Sequence, residues 1–334
     1  MAGRTEPQGL PVQHLHPHEE PQSYPLTLRT RSYAWWRPVL GLVTVPFVML
    51  VLAPLLLLPL LAVTVALDHS GDFGTAFENA AKLEPVTWQG LLYLNLSLAA
   101  LVLATWGIVR YLHGLSPRWL ASVQPGIRWR FFWACFGISV VAILAQILVG
   151  ALLPDDPNDL SGSANEITGR ILALGLVVLL TTPFQAMGEE YAFRGYLMQG
   201  FGALTRRPWV AVVLSAALFA LAHGVQNAPL FLDRFSFGLM AGYIVLRTGG
   251  LEAGIALHIW NNLVAFGLAL TLGDIDETLK VTEVGWSNLP LTITQNGVYL
   301  VLVLLVARTM GISSRSQPPT PEPTPVLPPN TPAV

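Results

Sequence analysis

Long apolar stretches separated by short polar segments run through most of the chain. Most of these stretches approach the 20 residues that a helix needs to cross the hydrocarbon core of a bilayer. A backbone in lipid must satisfy its hydrogen bonds internally, so each stretch is expected to be helical. The pattern therefore predicts an all-α, polytopic membrane bundle of about eight transmembrane helices. They lie at about residues 39–67, 88–111, 131–153, 171–197, 209–223, 230–246, 250–272 and 289–307.

Composition agrees with a membrane protein. Of the 334 residues, 53% are hydrophobic and only 11% are charged, whereas a soluble domain carries about 25% charged residues. The formal net charge of −2 gives no reason to expect a nucleic-acid partner; the expected surrounding is the lipid bilayer. The single cysteine, Cys135, excludes an intramolecular disulfide and a cysteine-based metal site.

The loops alternate in the sign of their charge. Basic residues precede span one, follow spans two, four and six, and close the chain, whereas acidic residues dominate the loops between. Since Lys and Arg favour the cytoplasmic side, both termini are predicted to be cytoplasmic, in what we expect to be a bacterial cell membrane. The basic residues are Arg29, Arg31, Arg37, Arg110, Arg118, Arg128, Arg130, Arg206, Arg207, Arg247, Arg308 and Arg315.

The same pattern divides the chain into four parts. Residues 1–37 are polar and lack the apolar core of a signal peptide, so we expect a disordered cytoplasmic tail. Residues 38–170 hold the first three membrane helices, and residues 171–308 hold the segment with the most unusual polar groups. Residues 309–334 become rich in proline and are expected to form a second disordered cytoplasmic tail.

Three ionisable residues stand at the end of an apolar run: Glu189, Glu190 and Arg194. Each charge at the bilayer centre costs roughly 2.5–3.5 kcal/mol on insertion scales. We therefore expect these groups to be paired inside the protein and to serve its function. Glu190 and Arg194 are four residues apart on one helical face and should form an ion pair. Glu189 is rotated away from both and is the better candidate for a general base. The alternative is a charged helix end at the membrane surface.

Two histidines, His223 and His258, fall within predicted spans. Asn262 follows His258 by four residues and shares its face, and Asn261 could take its place. An imidazole and an amide on one face can donate hydrogen bonds to a developing oxyanion. Counting residues from the basic ends of the helices brings these groups and Glu189 to one cavity, which we expect to open toward the cytosol. The alternatives are packing histidines and an asparagine that holds two helices together.

The spacing of these groups resembles that of the CPBP family of intramembrane proteases, which includes type II CAAX prenyl proteases and Abi proteins linked to bacteriocin processing. The motifs are Glu189-Glu190-x-x-x-Arg194, Phe219-x-x-x-His223 and His258-x-x-x-Asn262, in that order on successive helices, and the resemblance covers about residues 170–270.

The resemblance implies a role for each residue. Glu189 would activate a water molecule beside His223, Glu190 and Arg194 would hold the shape of the site, and His258 with Asn262 would stabilise the oxyanion. Glu189, His223 and His258 could also be three ligands of a divalent metal such as zinc. The alternative is a metal-free site with Glu189 as general base. No His-Glu-x-x-His is present, so a zincin helix is excluded.

These observations favour an endopeptidase that cuts membrane-associated proteins or peptides. Two other functions stay open. A non-catalytic scaffold or bacteriocin-immunity protein could keep the same fold, and a transporter could use Glu and His residues as a proton relay.

Overall fold

The computed structural model describes residues 17–68, 71–153 and 164–317. Within these ranges the regular structure is helical, and three π-helical segments continue α-helices: Val48–Leu52, Ile108–Leu112 and Tyr191–Leu197. The α-helices are α1 (Trp36–Phe47), α2 (Ala53–Asp68), α3 (Phe73–Lys82), α4 (Trp88–Gly107), α5 (Arg118–Ala121), α6 (Trp129–Gly150), α7 (Gly169–Glu190), α8 (Met198–Thr205), α9 (Pro208–Leu221), α10 (Ala228–Thr248), α11 (Glu252–Thr271), α12 (Ile275–Thr278) and α13 (Asn288–Thr309).

Seven helical segments of the described ranges are long and apolar enough to cross a membrane. This confirms the predicted polytopic helical bundle and an integral membrane protein. They are Trp36–Asp68, Trp88–Leu112, Trp129–Gly150, Gly169–Thr205, Ala228–Thr248, Glu252–Thr271 and Asn288–Thr309.

The predicted span over residues 209–223 differs from the others. Its helix, α9, has 14 residues, which corresponds to about 21 Å at 1.5 Å per residue. A bilayer core is about 30 Å thick, so α9 is too short to cross it alone. It ends at Leu221 and leaves His223 beyond the helix.

The helices that carry the polar groups pack side by side. Helix α7 lies against α4 and α11, α11 also contacts α6, and α9 packs on α10. Two glycines of α10 permit its close contact with α9. A Cβ at Gly238 would lie 2.9 Å from Ala216 Cα, and one at Gly242 would lie 3.0 Å from Val212 Cγ1. The G-x-x-x-G of α10 therefore serves close helix packing.

A buried ion pair fixes the beginning of α11. Arg128 donates from Nε and Nη2 to the two carboxylate oxygens of Glu252, at 2.7 and 2.6 Å, and from Nη1 to the Thr248 carbonyl at 2.8 Å. Glu252 is fully buried. The turn between α10 and α11 uses Gly249 at a positive φ of 69°, a conformation that suits glycine. The N-terminal end of α6 and this turn are thus held together.

The described part of the N-terminal segment is packed, so the expectation of disorder through residue 37 is wrong for residues 17–37. Tyr24 and Leu28 are buried, and the Tyr24 hydroxyl donates to the Leu120 carbonyl. Ser23 pairs with Arg315 as an antiparallel bridge. The buried side chains of Tyr24 and Leu28, with this bridge, hold the segment against the bundle although most of its residues are polar. Residues 1–16 and 318–334 of the expected tails lie outside the described residues.

The acidic connections meet at one end of the bundle. Arg170 at the start of α7 pairs with Asp276 of α12 at 2.8 Å, and Lys280, before α13, pairs with Glu84, before α4, at 2.9 Å. The Arg128–Glu252 pair and Tyr24 lie at the opposite end, with the basic segments. The observed ends therefore match the alternation of charge along the chain, and the cytoplasmic assignment of the basic end stays a prediction.

Candidate active site

The paired glutamates are the last two residues of α7, where the α-helix gives way to the π-helical turn Tyr191–Leu197. Such π-helical turns are frequent at functional sites because they shift the register of side chains along a helix. Arg194 lies within this turn. The helix then continues as α8 to Thr205, so the glutamates stand well inside one long span of 37 residues.

Glu190 and Arg194 form the predicted ion pair. Arg194 Nη1 donates to Glu190 Oε1 at 2.8 Å, and both side chains are fully buried. The guanidinium carbon lies 4.0 Å from the ring centre of Phe219 and 5.0 Å from that of Phe237. These aromatic faces stabilise a desolvated cation. The pair is therefore an internal part of the protein and not a charged helix end at the surface.

Helix α11 approaches this pair through a glycine. A Cβ at Gly254 would lie 2.7 Å from Glu190 Oε2, which is too close for a real contact. The same oxygen has no hydrogen-bond partner among the described residues. The carboxylate thus fills the space that a side chain at position 254 would need.

His258 stands between the two glutamates. Its Nδ1 donates to Glu190 Oε1 at 2.9 Å, and its Nε2 lies 3.6 Å from Glu189 Oε2. The bond at Nδ1 fixes the orientation of the ring and aims Nε2 at Glu189. With only 5% of its surface exposed, His258 is a buried link between the paired and the unpaired carboxylate. The structure therefore brings Glu189, Glu190, Arg194 and His258 together.

Gln185, which the motifs do not contain, holds the other side of Glu189. Gln185 Nε2 donates to Glu189 Oε1 at 2.5 Å, and Asn262 Nδ2 donates to Gln185 Oε1 at 2.8 Å. Asn262 therefore links α11 to α7, which is the alternative in which this asparagine holds two helices together. Its second amide hydrogen is left for another acceptor. The sequence signal for Gln185 was its position four residues before Glu189, on the same helical face.

His223 is placed differently from the prediction. It lies in the turn after α9 and is exposed, not embedded in a membrane helix. Its Nδ1 lies 2.8 Å from the Phe219 carbonyl oxygen, and its ring packs edge-on against that of Phe219, with centroids 4.7 Å apart. His223 still lines the same cavity as Glu189 and His258.

This cavity has a volume of about 440 Å³, within the range of small-ligand pockets. Its wall comes from the first halves of α4, α10 and α13, the ends of α7 and α9, the middle of α11, and residues near α12. The parts of α4, α10 and α13 and the residues near α12 belong to the acidic end of the bundle, and Glu189 and His258 lie deeper. Besides Glu189 and the two histidines, the lining includes Leu94, Asn95, Gln185, Arg234, Phe237, Asn262, Thr278, Leu279 and Gln295.

The position of the cavity contradicts the expected opening on the basic, cytosolic side. That expectation took span four to end near residue 197, whereas the helix continues to Thr205. Eight more residues add about 12 Å at 1.5 Å per residue. More helix therefore separates Glu189 from the end of its own span than the residue count assumed.

The residues proposed as metal ligands do not form a metal-binding cluster. Among the described residues, no group of three or more His, Cys, Asp and Glu side chains is arranged to hold a metal ion. Glu189, His223 and His258 line one cavity, but they do not converge on a shared point in the described arrangement.

The fold and the site together describe a helical membrane protein with a buried Glu–Arg–His network. Residues 171–264 match the family model described as "Type II CAAX prenyl endopeptidase Rce1-like". This segment contains all seven named residues of the three motifs, which confirms the family resemblance for that part of the chain.

Two curated proteins are similar over part of their length. The "Uncharacterized protein YyaK" of Bacillus subtilis (strain 168) is 26% identical over 168 residues, which cover 47% of this chain and 54% of that protein. The "Potassium-transporting ATPase potassium-binding subunit" of Desulfovibrio desulfuricans is 28% identical over 167 residues, covering 43% of this chain and 27% of that protein. The chain thus spans about half of the first relative and about a quarter of the second. No solved structure matches significantly.

Proposed function

We propose that this protein is an intramembrane endopeptidase that hydrolyses peptide bonds of membrane-associated proteins or peptides. One observation carries the proposal. Glu189 lies at the wall of a cavity, with one oxygen held by Gln185 and the other facing His258 Nε2 at 3.6 Å. A positioned carboxylate beside an imidazole is the arrangement that general acid–base hydrolysis needs.

In the proposed reaction, Glu189 takes a proton from a water molecule as the water oxygen attacks the scissile carbonyl carbon. A new carbon–oxygen bond forms, and negative charge develops on the carbonyl oxygen. His258, in its protonated form, can donate from Nε2 to that oxygen while Nδ1 keeps its bond to Glu190. The remaining amide hydrogen of Asn262 is a second donor. Such donors are most effective in a site shielded from bulk water.

The tetrahedral intermediate then breaks down. The proton held by Glu189 passes to the amide nitrogen, the oxyanion re-forms the carbonyl double bond as the carbon–nitrogen bond breaks, and the amine leaves together with a new carboxylic acid. Glu190 and Arg194 touch neither water nor substrate in this scheme. They hold His258 and the end of α7 in place, which explains why they lie behind the cavity and do not line it.

The first test uses Glu189→Ala and His258→Ala in purified protein reconstituted into liposomes, with fluorescein-labelled β-casein as an unstructured probe. We expect both variants to remain folded and to lose cleavage. Glu283→Ala is the control, because Glu283 is an exposed acid outside the cavity lining, and it should cleave at the wild-type rate. Cleavage retained by both Glu189→Ala and His258→Ala would overturn the proposal.

The role of a metal needs its own measurement. The donor types at Glu189, His223 and His258 are those that zinc accepts, although their described arrangement does not form a cluster. We propose the general-base reaction, which predicts less than one equivalent of bound metal and unchanged cleavage after chelation. Stoichiometric zinc with loss of cleavage on chelation, and recovery when zinc is restored, would instead favour the metal-assisted form.

A further inference from the structure

Helix α13 brings a row of polar side chains to the catalytic cavity from outside the matched family segment. Thr292, Gln295 and Asn296 line the cavity, and their exposed fractions are 5%, 6% and 7%. The proposed reaction uses none of them. Buried amides on a membrane helix are costly unless they have partners, so this row calls for an explanation.

Asn296 lacks a partner for one of its atoms. Its Nδ2 donates to Ser236 Oγ of α10 at 3.1 Å, which fixes the amide. Its Oδ1 is buried and accepts no hydrogen bond within the described part of the chain. A fixed, unpaired acceptor at a cavity wall is suited to an N–H group that arrives with a ligand.

Gln295 connects this row to the catalytic groups. Its Nε2 donates to Asn261 Oδ1 of α11 at 3.0 Å. The next residue of α11 is Asn262, which reaches Glu189 through Gln185. A ligand bound against α13 would therefore lie beside the carboxylate that activates water.

Arg234 of α10 adds hydrogen-bond donors to the same wall. Its Nη1 donates to Gln226 Oε1 at 2.9 Å, and no carboxylate lies within ion-pair distance of it among residues 17–68, 71–153 and 164–317. The neighbouring Asp233 accepts from Thr292. Donors of Arg234 are thus left for a carbonyl oxygen in the cavity.

We propose that Gln295, Asn296 and Arg234 form a subsite that binds the main chain of an extended polypeptide next to the scissile bond. The inference rests on the proposed function and names the substrate class. An extended main chain presents one N–H donor and one C=O acceptor per residue, and this wall offers amide acceptors and guanidinium donors to match them. Apolar side chains of the substrate would face Leu94, Phe237 and Leu279, which also line the cavity.

The test measures binding separately from cleavage. Fluorescein-labelled β-casein is titrated by fluorescence anisotropy with the Glu189→Gln protein, and with the same protein carrying Asn296→Leu or Gln295→Met. Loss of one hydrogen bond to the chain should raise Kd by about tenfold. Thr294→Ala is the control. The Thr294 hydroxyl bonds to the Pro290 carbonyl of its own helix, outside the cavity lining, and Kd should stay within twofold.

A competition arm identifies the recognised group. A short β-casein peptide and its main-chain N-methylated form compete with the labelled protein. N-methylation should weaken competition for the Glu189→Gln protein and have no further effect once Asn296→Leu is present. Equal Kd values in all variants, or no binding by any of them, would overturn the subsite. Binding that depends on Asn296 without cleavage by the wild-type protein would instead refute the proposed function alone.

Discussion

Gln185 sets the position of the carboxylate on which the chemistry depends. It fixes one oxygen of Glu189 through a 2.5 Å hydrogen bond and is itself held by Asn262. Without it, Glu189 could rotate away from the position that the proposed reaction requires. Misplacing a catalytic group by about 1 Å can cost on the order of 100-fold in rate.

Gln185→Leu is therefore expected to lower kcat by about 10- to 100-fold and to leave KM within twofold. The measurement is β-casein cleavage by reconstituted protein over a range of substrate concentrations. Gln199→Leu is the matched control, because Gln199 is a buried amide of the same span that bonds to the Trp119 carbonyl away from the cavity. If the two variants lower kcat equally, the positioning role of Gln185 is wrong.

The sequence revealed ionisable residues better than amides. Glu189, Glu190, Arg194 and His258 stood out because charged or titratable groups are rare and costly in lipid. Gln185 and the amides of α13 carry no charge, and uncharged polar residues are common on helices, so the sequence alone does not distinguish them. Their importance became visible only when the helices were placed side by side.

Arg234 could not be assigned to the site from the sequence for a different reason. At its position near the start of α10, a charge is equally suitable for the membrane interface. Only the lining of the cavity distinguishes a residue that faces the site from one that marks the interface.

At the scale of the element, helix type was predictable, but helix length was not. Apolar runs located every span, yet α9 stops at Leu221, and span four extends through α8 to Thr205. Local patterns do not define such ends, since a buried helix can continue through residues that also suit a loop. The end of α9 at Leu221 leaves His223 in the following turn, and the continuation of span four to Thr205 makes the residue count to Glu189 too short.

The close approach of α11 to α7 gives a test at this scale. Gly254→Ala would place a methyl group 2.7 Å from Glu190 Oε2, so α11 must shift or the carboxylate must turn. Either change displaces His258, and we expect cleavage to fall at least tenfold, with a lower Tm. A buried methyl group forced into a packed site typically costs about 1–3 kcal/mol.

Gly267→Ala on the same helix is the comparison, because a Cβ there meets no atom within 4 Å. It should cleave like the wild type and unfold at the same temperature. Wild-type activity in Gly254→Ala would show that the contact between Gly254 and Glu190 is not needed.

At the scale of the whole molecule, the site is wider than its motifs. The matched segment, residues 171–264, runs from α7 into α11, whereas α4 and α13 complete the wall of the cavity. The three motifs therefore contain the groups that the proposed reaction uses, but not the surface that is proposed to bind a substrate.

The stability of the whole bundle should depend on pH through His113. This histidine follows the second span, is 4% exposed, and lies 2.8 Å from the Tyr196 hydroxyl through Nε2. Burial, aided by the nearby Arg37, lowers the pKa of His113 from 6.5 to about 4. The unfolded chain therefore binds a proton below pH 6.5 that the folded chain does not bind until about pH 4.

It follows that stability is unaffected by this group above pH 6.5 and falls as the pH drops from 6.5 toward 4. The loss should reach about 3 kcal/mol. His113→Gln keeps a hydrogen-bonding side chain but cannot titrate, so its Tm in detergent should fall less steeply over that interval. Parallel Tm curves for the two proteins would contradict the assignment.

The most direct test of the central claim is the cleavage rate of the Glu189→Gln protein in liposomes. Glutamine has the shape of glutamate and can keep a contact with Gln185, but it cannot take a proton from water. A general base typically contributes about 10²- to 10⁴-fold, so kcat for β-casein should fall by that factor while Tm stays unchanged. A folded Glu189→Gln protein that cleaves within threefold of the wild-type rate would contradict the account.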